Sequence, residues 1–311
     1  MRRKSAFWIV FTTALSITLL IAAPVWADQP TGSVEDKLCI IDSFQPSGQE
    51  VTNYVVRGTL PLYSGIPGLA TQEIQEALAK KTQDNSFNLT QYNLIFIPLI
   101  VNAGLEAQSL QQEATSLSGV AFPPPNMQLA PASGPAALTN DPSQYAQILW
   151  WPMAGGCPLG PNNSCAGGCT MVQQYNIEGL VNQIHQYLTG PLSQGEISAG
   201  LEGRIIYFHC ETGTDRTGML DLSYRMYIKG NSFQSAVKNA INACKPCVMS
   251  RASGLCGPPS GCISAAARPM WAYLCLAINF CQDAIGSNCG HSMTCEDMDA
   301  LWCRDNSGQC N

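Results

Sequence analysis

The stretch Ile205-Ile206-Tyr207-Phe208-His209-Cys210-Glu211-Thr212-Gly213-Thr214-Asp215-Arg216-Thr217-Gly218 decides how the rest of the chain is read. Ile205 to Phe208 is a short apolar run with a β-branched start, preceded by Gly203, and it predicts a buried strand. Met219 to Ile228 sets apolar residues at helical spacing and stops at Gly230, which predicts a helix. The loop between them carries glycines at both ends of its second half. A strand–loop–helix of this kind is an anion site, because free backbone N–H groups and the positive end of the helix both face the loop.

Two side chains bracket that loop. Thiolate is the reactive form of cysteine, and a helix N-terminus favours it, so Cys210 is placed to be a nucleophile. Arg216 offers a planar, two-pronged donor suited to phosphate oxygens, and Thr217 adds a hydroxyl beside the same anion. These are the parts needed to attack a phosphate ester and hold the transferring group. The competing reading is a disulfide cysteine ahead of an ordinary helix.

The spacing Cys210, five residues, Arg216, Thr217-Gly218, with His209 in front, resembles the phosphate-binding loop of the cysteine-dependent protein tyrosine phosphatase superfamily. The resemblance implies one α/β domain, with a central, mostly parallel sheet flanked by helices. It implies Cys210 as nucleophile and Arg216 as transition-state clamp, with phosphate held by residues Glu211, Thr212, Gly213, Thr214, Asp215 and Arg216. His209 and Thr217 then support the loop. The segment from Tyr54 to Gly58 and the helix pair after the loop resemble the dual-specificity group.

In tyrosine-specific members the general acid is an aspartate directly after Trp-Pro. Here Trp151-Pro152 is followed by Met153, whose thioether cannot deliver a proton. Asp215 is the first candidate for the missing acid. Its place before Arg216 resembles the Asp-Arg-Thr ending of the loop in myotubularin-type lipid phosphatases and in broad-specificity bacterial phosphatases. The latter have lysine where this chain has Thr214. An aspartate at a helix start can also serve simply as a cap, and Asp141 is the fallback acid.

Composition narrows the classes. The 311 residues are 46% hydrophobic and 12% charged, enough for one sizeable core. A net charge of −6 argues against a general nucleic-acid binder. With three histidines, a metal site built on several His ligands is not expected, and the chemistry calls for no cofactor. Fifteen cysteines suit an oxidising compartment. The count is odd, and Cys210 has a chemical reason to stay unpaired.

Arg2-Arg3-Lys4, the apolar run from Ala6 to Ala23 and the small-residue end at Ala27 read as a secretory signal peptide. An uncleaved anchor is the alternative. The expected division is a leader over 1–27, one domain over 28–285 with a cysteine-rich insert at 244–262, and a stapled tail over 286–311. Cys244 and Cys247 carry zinc-like spacing, but structural disulfides suit a secreted chain better.

Along the chain, strands are expected at 53–60, 92–97 and 145–150. Helices are expected from Thr71, over 105–117, along the stripe Ile177–Leu188, from Phe233, and over 268–278. Residues 192–203 read as a connector. Cys157, Cys165 and Cys169 predict a local disulfide that stiffens the loop after Trp151-Pro152.

The expected activity is hydrolysis of a phosphorylated protein or small phosphate ester, by a protein secreted or periplasmic and free of a membrane span once the leader is cut. Phosphoinositides or inositol polyphosphates are the alternative substrates. An inactive phosphate-binding module is the alternative of another class.

Overall fold

The computed structural model describes residues 34–63, 68–117, 135–158, 165, 168–243, 268–286 and 289. The expected leader and the insert at 244–262 lie outside them, as does the tail apart from Gly286 and Cys289.

A six-stranded sheet organises these residues. Its strands are β1 (Cys39–Phe44), β2 (Asn53–Gly58), β3 (Tyr92–Pro98), β4 (Ala136–Ala137), β5 (Tyr145–Ile148) and β6 (Gly203–His209). The order across the sheet is β1-β2-β6-β3-β5-β4. The four inner strands run parallel, and the two edges pair antiparallel. The mostly parallel α/β architecture read from the sequence is therefore the one observed.

Parallel strands need both faces covered, and β3 and β6 carry the continuous apolar runs this requires. Every residue of both is buried. Gly203, read as a turn, instead opens β6. A side chain there would run into Val51 and Tyr92, with a Cβ 2.6 Å from Val51 Cγ2.

The helices are α1 (Val34–Lys37), α2 (Thr71–Thr82), α3 (Gly104–Thr115), α4 (Met171–Gln174), α5 (Ile177–Thr189), α6 (Gln194–Ser198), α7 (Asp215–Tyr227), α8 (Phe233–Ala243) and α9 (Arg268–Ala284), with a 3-10 turn at Leu89–Gln91. In α5, Ile177, Leu180, Val181, Ile184 and Leu188 are buried as their spacing predicts. Helix α7 starts four residues before the predicted Met219 and packs on α5, α8 and α9.

The stretch 192–203 is more than a connector. Ser193 and Glu196 form a capping box that starts α6. Glu196 also holds Arg204 of β6 at 2.6 and 2.7 Å and accepts from Asn93 of β3 at 2.8 Å. Burial pushes the Glu196 carboxyl up, but these donors outweigh it and hold the group down at about 2. The signal was legible as Ser-x-x-Glu.

Cys157–Cys169 and Cys165–Cys275 are disulfides, and Cys281–Cys289 staples the end of α9 to the start of the tail. Disulfides of this number belong to an oxidising compartment. No helix among the described residues is long and apolar enough to cross a membrane.

Candidate active site

Because β2, β3, β5 and β6 are parallel, their C-terminal ends open onto one edge of the sheet. There the segments 58–60, 99–101, 149–153 and 210–214 meet. The amides of Leu99 and Leu60 bond to the carbonyls of His209 and Glu211, and that of Met153 bonds to Leu99. Sites in parallel α/β sheets form at this edge.

Cys210 follows directly on β6. It is buried, and it is the free cysteine among the described residues. The disulfide alternative for this residue is thereby removed.

The loop after it is shaped by what its carbonyls meet. The Cys210 carbonyl lies 3.3 Å from His209 Nδ1. The Glu211 carbonyl accepts from Thr59 Oγ1 at 2.8 Å and the Leu60 amide at 3.2 Å. Lys37 Nζ donates to the Thr212 carbonyl at 3.1 Å, and Arg57 Nη2 to the Gly213 carbonyl at 2.8 Å. In a trans peptide the N–H points opposite to the C=O of the same plane. Each pinned carbonyl thus turns the next amide away from the surrounding frame. The amides of Glu211, Thr212, Gly213 and Thr214 donate to no other backbone group among the described residues. Four N–H groups at the start of α7 are left for an anion.

Gly213 makes the turn possible. Its φ is +72°, and a Cβ there would lie 2.5 Å from the Gly58 carbonyl oxygen. Gly58 is needed in turn, since a side chain on it would strike the Tyr207 hydroxyl. Gly213→Ala should destabilise the protein by about 1–3 kcal/mol and weaken tungstate binding at least about tenfold. Urea unfolding with intact disulfides and tungstate titration check this. An unchanged affinity would show that the loop does not depend on that backbone conformation.

Arg216, one residue into α7, is held by two partners. Its Nη1 donates to the Leu99 carbonyl at 3.1 Å and to Glu106 Oε2 at 3.0 Å, and its Nη2 donates to Glu106 Oε1. The Val101 amide also donates to Glu106, at 2.8 Å. Burial pushes the Glu106 carboxyl up. The hydrogen bonds from Arg216 and Val101 and the Arg216 charge outweigh it, so the group sits below its ordinary value. The pair is present above the ordinary carboxylate range and is lost as pH falls through the lowered value. Burial pushes Arg216 down, but the Glu106 hydrogen bond and the neighbouring Cys210, Tyr273 and Glu106 groups together push it up by more, so it stays charged. Its Nε makes no bond to another protein group among the described residues, which leaves that donor unspent.

Asp215 is the first residue of α7, and Thr214 precedes it as the N-cap without a side-chain cap bond. Asp215 Oδ1 is buried with no partner among the described residues. Burial pushes the carboxyl up, against the Arg216 charge and a hydrogen bond from Thr214. Thr212 and Thr214 join hydroxyls at 2.7 Å, and Thr217 Oγ1 is buried without a partner among the described residues.

Met153 is fully buried. Its carbonyl lies 3.4 Å from the hydroxyl of Tyr273 on α9. The Cys157 amide donates to the Ala272 carbonyl at 2.9 Å, and Gly156 sits so close to Ala272 that no side chain fits. The disulfides of Cys157 and Cys165 add covalent ties to the same region. This segment is a fixed wall rather than a carrier of an acid. Asp141 is occupied elsewhere, since its Oδ1 accepts from the Ser143 amide at 3.1 Å and hydroxyl at 2.6 Å.

Five contributors escaped the sequence reading: Lys37, Arg57, Thr59, Glu106 and Glu113. Arg57 is a charge inside an otherwise apolar strand. Glu106 and Glu113 lie on the α3 stripe with Leu110 and Leu117, so two acids share a face with core residues. That pattern was the available signal. By contrast Leu105, an apolar residue in the first turn of α3, is exposed.

No family model matches the chain, and no curated protein does. Among solved structures it is similar to Tk-PTP in its active form, with 12% identity and a TM-score of 0.28 over 69% of this chain and 88% of that one. It is also similar to the Trypanosoma brucei protein tyrosine phosphatase TbPTP1, with 12% identity and a TM-score of 0.31 over 75% of this chain and 70% of that one. At these values the likeness carries no weight in assigning a function, and the reading of the site rests on its own geometry.

Proposed function

We propose that the protein hydrolyses phosphate monoesters through a cysteinyl-phosphate intermediate. The observation that carries this reading is the free, buried Cys210 at the mouth of β6, beside four amides turned toward one side by carbonyl pins.

The Cys210 thiolate attacks phosphorus in line, forming the S–P bond as the P–O bond to the leaving group breaks. The amides of residues 211–214 and the Arg216 guanidinium hold the equatorial oxygens, where transition-state charge collects. Asp215 gives its proton to the departing oxygen. Water then attacks phosphorus, the S–P bond breaks, and a proton of the water returns to Asp215 as phosphate is released. Thr217 donates to the sulfur as it leaves. His209 supports the loop and transfers no proton.

Asp215 suits the acid's part because burial raises its carboxyl, which keeps the proton on to a higher pH than usual. Activity should therefore fall as pH rises through that raised value. Asp215→Asn should slow aryl phosphates with poor leaving groups by about 10²-fold or more and barely affect activated ones. A series of substituted aryl phosphates measures this. Equal slowing across the series would make Asp215 structural.

A second reading is favoured by Met153, buried where an acid is expected: a phosphate-binding module without turnover. Absence of any aryl phosphate hydrolysis by the wild-type protein, with tungstate still bound, would select it. For substrate class we favour phosphoproteins over phosphoinositides or inositol phosphates. Thr214 occupies the place where the broad-specificity bacterial loop has lysine, so that cation is missing from the cradle. Relative rates on a phosphotyrosine peptide, a phosphoinositide and an inositol phosphate decide it. The signal-like N-terminus and the disulfides support an exported protein.

A further inference from the structure

The geometry points to Glu113 as a positioning residue for the phosphate loop, acting through His209; this rests on the phosphatase reading. His209 and Glu113 are both fully buried, with His209 Nε2 3.2 Å from Glu113 Oε1. The other ring nitrogen, Nδ1, lies 3.3 Å from the Cys210 carbonyl oxygen. A carbonyl oxygen can only accept, so Nδ1 must carry hydrogen for that contact to be a bond. A proton between Nε2 and Oε1, carried by either atom, makes the second contact a hydrogen bond as well. Glu113 fits either case, and both keep Nδ1–H on the carbonyl. Without a partner for Nε2, the ring is held at one nitrogen only and is free to tilt away from the carbonyl.

The consequence reaches the cradle. The Cys210 carbonyl shares a peptide plane with the Glu211 amide, so releasing one frees the other to turn. Carbonyls 211, 212 and 213 have their own pins. The His209–Glu113 pair is what serves the first plane, the one next to the nucleophile.

Two further observations assign Glu113 to this task. Its second oxygen, Oε2, is buried with no partner among the described residues, so no other donor there accounts for the carboxylate. It also stands two helical turns from Glu106 on α3, the residue that holds Arg216. One helix thereby grips both ends of the loop, the side chain before the nucleophile and the guanidinium after it. The Tyr207 ring lies 5.8 Å from the imidazole between centroids, and its hydroxyl donates to the Thr59 carbonyl.

The test uses full-length protein labelled with ¹⁵N-histidine, in which three histidines give few signals. The wild type should show a solvent-protected Nδ1–H for His209. Glu113→Gln can still donate its amide N–H to Nε2 and should keep that signal, with kcat for an aryl phosphate within about threefold of wild type. Glu113→Leu should lose the solvent protection of that Nδ1–H and at least about tenfold in kcat, with tungstate binding weakened in parallel. Should the leucine variant fail to fold, the wild-type spectrum decides alone: a bare Nδ1 overturns the proposal. So does a folded leucine variant with full kcat. A wild type without any turnover would instead overturn the phosphatase reading, and the nitrogen signals and tungstate affinities would still decide the positioning role.

Discussion

The Cys210→Ser protein should fold, bind tungstate about as well as wild type, and lose at least about 10⁴-fold in kcat on aryl phosphates. The cradle is built from backbone amides whose directions are set by Thr59, Lys37, Arg57 and His209, none of which the substitution touches. Oxygen is close enough in size to sulfur for the buried position to accept it. The serine hydroxyl, however, is a far weaker nucleophile than a thiolate at neutral pH. Binding and turnover should therefore separate. Steady-state rates and tungstate titration measure the two, and full activity in the serine protein would remove the mechanism.

Asp221→Ala should lower stability by about 3–5 kcal/mol, because it strands buried charge. Asp221 Oδ2 takes Arg57 Nη1 at 2.9 Å, and its Oδ1 takes Arg225 Nε at 2.7 Å. Asp221 and Arg57 are fully buried and Arg225 nearly so. Removing the carboxylate leaves two guanidinium groups beside a cavity. Arg57 is also the pin on the Gly213 carbonyl, so tungstate affinity should fall with stability. Urea unfolding with intact disulfides gives the first quantity and titration the second. A loss under about 1 kcal/mol would mean that the cluster relaxes to water, and the argument for its role in the loop would fail.

Much of this was open to a reader of the sequence, for local reasons. The strand Ile205–Phe208 is apolar without interruption, and a strand buried on both faces is what a parallel sheet needs. The glycines, the cysteine and the arginine of the loop are close together in the chain, and that closeness made the candidate site legible. The odd cysteine count already hinted that one sulfur stays free.

The frame behind the loop was not legible, because it comes from far away in sequence. Lys37, Arg57 and Thr59 reach residues 211–213 across more than 150 positions, while Glu106 and Glu113 cross about a hundred to Arg216 and His209. A charged residue in a strand or helix looks the same in sequence whether it faces water or closes a buried pair. Only packing tells the two apart, by removing water and leaving each charge to the protein groups around it. The chain's own order thus determined that a thiol and a guanidinium face one anion-sized loop. The fold decided which carbonyls are pinned, and so which amides remain without a backbone partner among the described residues.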